Sequence, residues 1–330
     1  VNPLKNISVR FILKKLSPHS KHNPSVAWFR ASEAVGDFMG IRYGRITNGE
    51  VQWFEVSHCE CDGIGGFVRL LRKQGLKNLA IPQTKHTCRG IFLPLCRLLS
   101  SKLKKEICAE RGDWKQTAPN INIAWHLFTK DETHAILDHC RKHGVTVNSY
   151  LLHALDQAVR SEVSRSEKKI SWMIPVNLRG DVCYPDDTEN HVSCVETKIA
   201  QDDTPTKIHR KILHQLGRGE HRANHLLLNI GRIFTHQTKV NLITKDRTKP
   251  AGNIGAFSNL GVWNPEEITN EDGWVFSPPV VLGQLLGAGC VTFQGRLGLA
   301  TQGYTEKDIV DSRMKRWITN IGEPCLRPAS

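Results

Sequence analysis

The sequence lacks any apolar run long enough to cross a bilayer, and its amino end lacks the apolar core of a secretory signal. Its ten cysteines are scattered, and only Cys59 and Cys61 lie close together, so neither a disulfide framework nor a zinc knuckle is spelled out. Reduced thiols and a cytoplasmic location are therefore the expectation. No internal repeat and no low-complexity segment appears, which excludes solenoids and fibrous arrays. Zinc-finger spacing, an aromatic RNA-binding strand and a concentrated basic helix are all missing, so no nucleic-acid partner is expected.

What is present describes an ordinary globular protein: 330 residues, 39% hydrophobic and 23% charged. That length can bury a substantial core, in one large domain or two lobes. Forty-five lysines and arginines against 32 acidic residues leave a net charge of +13, which favours anionic partners.

The most informative segment is His58-Cys59-Glu60-Cys61-Asp62-Gly63. Before it, Val51 to Val56 has the apolar and aromatic character of a strand, and Ile41 to Ile46 reads as its hairpin partner across an Asn48-Gly49 turn. After it, Ile64 to Gln74 sets Phe67, Leu70 and Leu71 against Arg69, Arg72 and Lys73, the pattern of a short amphipathic helix. The segment thus sits at a strand-to-helix corner, where a rigid scaffold can present a side chain to a ligand.

This arrangement resembles the His-x-x-x-Asp-Gly signature of the chloramphenicol acetyltransferase-like acyltransferases, the superfamily of condensation domains, alcohol acyltransferases and wax ester synthases. Many members place two histidines in front; here the first position is Ser57. Further resemblances follow in collinear order. Lys130 to Gly144 reads as a helix, Val145 to Ser149 as the lead into a second helix over Tyr150 to Val163, and Ile170 to Arg179 as the Pro-Val-Asn-Leu-Arg strand end. Asn190 to Ser193 reads as a strand start, Phe257 to Gly261 as the Ser-Asn strand, and Gly295 to Leu299 with Glu306 to Ile321 as the closing strand and helix.

The resemblance implies a two-lobed α/β sandwich with a channel between the lobes. The lobes would span 1–116 and 117–330, with the polar stretch Arg111 to Asn120 as the crossover. Family members carry more chain ahead of the histidine motif, so either the first lobe is shortened or the sequence is missing an amino-terminal piece.

The activity implied is transfer of an acyl group from a thioester to a hydroxyl or amine. His58 would be the general base, since imidazole titrates near neutral pH. Asp62 would face away from substrate and pair with Arg179, and Gly63 would allow the tight corner. Ser258 and Asn259 are candidates for the oxyanion or for the donor's pantetheine arm, although polar residues bonded to a strand edge would look the same. Trp263 would line the channel or fill core. No permanently bound cofactor is implied. Acyl-coenzyme A is the expected co-substrate, beside a small hydroxyl or amine acceptor. A thioester on an acidic carrier protein is the alternative donor, and an inactive relative that binds or scaffolds is the alternative outside catalysis.

Two other site chemistries compete. His58, Cys59 and Cys61 lie too close in sequence for a common zinc site, so no metal is expected. A Cys-His hydrolase would need His58 and Cys59 to face each other, which strand alternation forbids. Ile91 to Leu99 followed by Lys102, Lys104 and Lys105 combines an apolar stripe with a basic end. A buried helix with a solvated end is the favoured reading there, and peripheral membrane contact the other.

Overall fold

The computed structural model describes residues 23–37, 39–84, 96, 120–163, 169–182, 184–247, 253–266, 273–281 and 283–325. The expected crossover at 111–120 and the apolar-basic stretch at 91–105 fall almost wholly outside these residues.

The first unit opens with helix α1 (Pro24–Ala34), capped by Asn23, whose side chain accepts from the Ser25 amide. Strands β1 (Gly40–Thr47) and β2 (Glu50–Ser57) form the expected hairpin. Asn48 and Gly49 both take positive φ, +53° and +80°, the conformation that joins twisted strands through two residues. Helix α2 (Gly63–Lys73) follows at once, with Asp62 as its cap.

The second unit holds β3 (Asn122–Leu127), α3 (Lys130–Lys142), α4 (Val147–Val159), β4 (Lys169–Asn177) and β5 (Val192–Ala200). Helices α5 (Pro205–Gly217), α6 (Glu220–Ile230) and α7 (His236–Arg247) come next. The chain closes with β6 (Gly255–Trp263), β7 (Gly273–Ser277), β8 (Leu286–Phe293), β9 (Arg296–Gly303) and α8 (Lys307–Cys325). Helix α4 starts three residues earlier than expected because Thr146, read as lead-in, caps it by accepting from the Ser149 amide.

Two sheets result. The larger has the order β3-β9-β8-β6-β4-β5, with β4 and β8 parallel to β6 and the other neighbours antiparallel. The smaller has the order β2-β1-β7. Its third strand comes from late in the chain, pairing Tyr43 with Phe276 and Arg45 with Trp274. The smaller sheet is therefore built from both of the segments divided at 116.

The cores follow from these layers. Ile136, Leu151, Leu155, Trp172, Phe257 and Trp317 are fully or nearly fully buried in a cluster that unites the helices with the larger sheet. A second cluster sets Tyr43, Phe67, Trp263, Trp274, Phe276 and Phe293 between α2 and the two sheets. Phe67 makes edge-to-face contacts with Trp263, Trp274 and Phe293, the geometry aromatic rings prefer. Trp263 is core, with its indole N–H donating to the Leu260 carbonyl at 2.9 Å.

Candidate active site

The histidine motif is shaped by an ion pair beneath it. Asp62 and Arg179, 3% and 2% exposed, meet through two parallel hydrogen bonds of 2.8 and 2.9 Å. The remaining guanidinium N–H groups donate to the Asp187 and Glu189 carbonyls and to the Asn177 side chain. The Asp62 carboxylate also accepts from the amides of Gly65 and His191, at 2.7 and 2.8 Å. One carboxylate thus caps α2, anchors the start of β5 and neutralises the arginine at the end of β4. A charge pair this buried survives only when its hydrogen-bonding capacity is filled, and here it is.

The corner above it is tight. A Cβ on Gly63 would sit 2.9 Å from Leu260 and 3.0 Å from Phe276. One on Gly65 would fall 2.0 Å from the Thr188 carbonyl oxygen, so α2 could not approach that segment with any side chain there. The Tyr43 hydroxyl donates to the Gly63 carbonyl at 2.7 Å, tying the corner to β1.

His58 stands at the top of this construction, just past β2, with its amide donating to the Met39 carbonyl. Its Nδ1 lies 3.0 Å from the Cys61 carbonyl oxygen. A carbonyl can only accept, so Nδ1 carries the proton and Nε2 keeps its lone pair. Burial pushes the imidazole below its usual value, partly countered by Asp62 and by the bond to Cys61. The ring is thus held neutral at physiological pH, in the tautomer a base requires.

Two contacts on His58 have no signal in the motif. The Phe29 ring of α1 lies against the imidazole with centroids 4.3 Å apart. The Asn190 side chain donates to the His58 carbonyl at 2.6 Å, and the Asn190 backbone carbonyl accepts from the Asn23 side chain at 2.8 Å. Asn190, a strand start by its sequence, precedes β5 and holds the histidine's backbone in place.

Strand alternation does not govern His58 and Cys59, because His58 to Glu60 form a turn rather than a strand. Burial disarms the thiols instead: Cys59 is pushed up to about 12, and Cys61 is raised strongly as well. Neither is a thiolate near neutral pH, so neither is a ready nucleophile.

A small cleft lies between the sheets and gathers His58, Gly63, Ser258 and Asn259 on its walls, with Asp62 and Arg179 behind. Ile41, Ile64, Val192, Leu260, Phe276 and three prolines give it a largely apolar lining. Ser258 and Asn259 come from β6, where the register with β8 shifts between Asn259 and Val262. Gly261 takes φ +84° in that bulge, and its amide donates to the Asn259 side-chain oxygen at 2.8 Å. The Asn259 amide group is thereby oriented with its N–H donors away from the bulge. Bulges re-aim side chains in this way, which lets consecutive residues of one strand border the same space. Among the described residues, no three His, Cys, Asp or Glu side chains converge as a metal site would require.

No family model matches the sequence, and no curated protein does. Solved structures do match. Trichothecene 15-O-acetyltransferase TRI3 from Fusarium sporotrichioides aligns over 84% of this chain and 68% of its own, with a TM-score of 0.55 and 14% identity. Polyketide synthase associated protein 5 from Mycobacterium tuberculosis gives 0.51 and 14% identity over 84% of this chain and 76% of its own. The cyclization-docking bidomain of the EpoB nonribosomal peptide synthetase from Sorangium cellulosum gives 0.52 and 11% over 84% and 61%.

The fold is the two-lobed chloramphenicol acetyltransferase-like fold.

The match covers 61% to 76% of the lengths of these three structures.

Proposed function

We propose that this chain is an acyltransferase in which His58 is the general base. The observation that carries the reading is the His58 tautomer: Nδ1 is fixed on the Cys61 carbonyl, leaving Nε2 as the acceptor beside a cleft shared with Ser258 and Asn259. The chloramphenicol acetyltransferase-like fold, found in an acetyltransferase and a nonribosomal peptide synthetase bidomain, supports it.

In the proposed reaction Nε2 takes the proton from an acceptor as its oxygen or nitrogen attacks a thioester carbonyl. The new bond to carbon forms, and the oxyanion is met by the Ser258 hydroxyl or the Asn259 amide. When the carbon–sulfur bond breaks, the imidazolium returns the proton to the leaving thiolate, and a free thiol departs. No covalent acyl-enzyme is needed, consistent with thiols disarmed by burial.

Acyl-coenzyme A is the donor we favour, and the +13 net charge suits its phosphates. A carrier-protein thioester is the second reading, supported by the likeness to a synthetase bidomain. Of the two acceptors, a hydroxyl suits the cleft better. Asp62 and Arg179 satisfy one another, and the rest of the lining is apolar or neutral, so nothing offsets the cost of burying an ammonium.

The test is release of free thiol from a panel of acyl-coenzyme A donors, with apolar alcohols and with amines of matched skeleton. Acceptor-dependent thiol release with an acylated product is the expected result. Thiol release that ignores every acceptor, or none with coenzyme A and carrier donors alike, overturns the reading.

A further inference from the structure

Helix α1 is no part of the histidine motif, yet it meets the His58 turn at three points. Asn23, its cap, donates to the Asn190 backbone carbonyl, and the Asn190 side chain donates to the His58 carbonyl. Glu33, near its other end, accepts from the Ser57 hydroxyl at 3.2 Å. The same hydroxyl oxygen accepts from the Cys59 amide at 3.1 Å. Between these ties the Phe29 ring lies over the imidazole, with centroids 4.3 Å apart and planes inclined by 30°.

The helix is anchored by a different set of contacts. It packs against α6 and α7, with Val26 and Ala31 buried. Gly231 approaches Trp28 so closely that a Cβ there would meet the indole at 2.4 Å. The Lys239 ammonium of α7 lies over the same indole, 5.8 Å from its centroid. Successive helical residues point about 100° apart, so a helix seated through Trp28 turns Phe29 toward another neighbour. That neighbour is His58.

The ring contact supplies a restraint that the hydrogen bonds do not. An imidazole turns easily about χ2, whose wells are broad and roughly two-fold. The bond from Nδ1 to the Cys61 carbonyl is one point about which the ring can pivot, and Asn190 grips only the backbone. We propose that Phe29 is a positioning residue for the base, holding the imidazole plane so that Nε2 stays beside the cleft and keeping water off the covered face. This rests on the reading of His58 as general base. Phe29 carries no charge of its own. Asp62, paired with Arg179, favours the protonated ring, while the Cys59 and Cys61 thiols beside it are neutral. Glu33 and Arg30 of α1 act on the Cys59 thiol.

Nitrogen–proton NMR of the imidazole reads tautomer and pKa without any turnover, the His58 signal being assigned by its loss in His58→Gln. The parent is expected to show one neutral tautomer, protonated at Nδ1, and a pKa below the ordinary value of about 6.5. Phe29→Ala should mix the two tautomers and raise the pKa toward that value as water reaches the ring. It should also lower kcat by up to about 10²-fold with KM little changed, as a slackened reacting group does. Phe29→Tyr keeps the flat face and should restore the parent's behaviour. Phe29→Leu keeps the apolar bulk, which guards against loss of fold, and should move both NMR readouts in the same direction by less. A Phe29→Ala protein with the parent's tautomer and pKa overturns the proposal. So does Phe29→Tyr as impaired as Phe29→Ala, which would leave α1 a structural support only. The general-base reading fails separately, on full turnover by His58→Ala, a result that the NMR readouts do not involve.

Discussion

Arg179 behind one wall of the cleft uses every N–H it has, on Asp62, Asn177 and the carbonyls of Asp187 and Glu189. Strand β6, the neighbour of β4 in the same sheet, is held differently: the Asn259 oxygen steadies a bulge, while Ser258 and Asn259 border the cleft. These two neighbouring regions teach how to sort polar residues around a site. Groups whose bonding is filled by protein fix shape, and groups with a donor or lone pair toward the cleft are the ones available to substrate. By that criterion Asp62 belongs with the scaffold despite its place in the motif, and His58 joins Ser258 and Asn259.

The contrast can be broken by substitution. His58→Ala should lower turnover by roughly 10²–10⁴-fold, the usual weight of a general base, with the melting temperature preserved. An equally active, folded variant would remove the histidine from the chemistry. Arg179→Ala should act on the other observable, costing about 3–5 kcal/mol in denaturant unfolding because it leaves the Asp62 carboxylate buried and unpaired. Full stability with lost activity would place Arg179 among the reacting groups and erase the distinction between the two regions. Ser258→Ala should reduce kcat by up to about 10²-fold, toward the lower end for one oxyanion donor, with unchanged stability.

The mildest test uses pH alone. Burial lowers the His58 pKa, so the neutral base should persist to more acidic pH than a free imidazole would allow. The acid limb of kcat/KM should accordingly fall below the ordinary histidine value of about 6.5, activity dropping as pH descends through the lowered pKa. Asn190→Ala should slacken the His58 backbone and reduce kcat while moving that limb. A parent limb above the free-imidazole value would contradict a desolvated base.

Much of the fold and of the motif wall was legible because it is written locally. The Asn48-Gly49 turn specifies its hairpin, and the apolar stripe of α2 follows Asp62, a residue type that caps helices. The link from Asp62 to Arg179 spans much of the sequence and was anticipated only through resemblance to a family. What resisted reading depends on distant segments. Nothing in Gly273 to Ser277 announces a partner in β1, since strand propensity does not encode pairing register. Phe29 looks like any apolar helical residue until α1 is placed against His58. Gly65 reads as a simple helix-start glycine, and its need for a bare Cα appears only with the Thr188 carbonyl in view.

The late arrival of β7 carries a consequence for biosynthesis. Until Gly273 to Ser277 emerge from the ribosome, β1 has β2 on one flank and an unclaimed row of peptide groups on the other. Such an edge invites pairing with a neighbouring nascent chain. Because pairings between distant segments form slowly, the His58 hairpin must wait, half zipped, until β7 has been made. A chain terminated before Gly273 should therefore aggregate rather than yield a smaller soluble lobe.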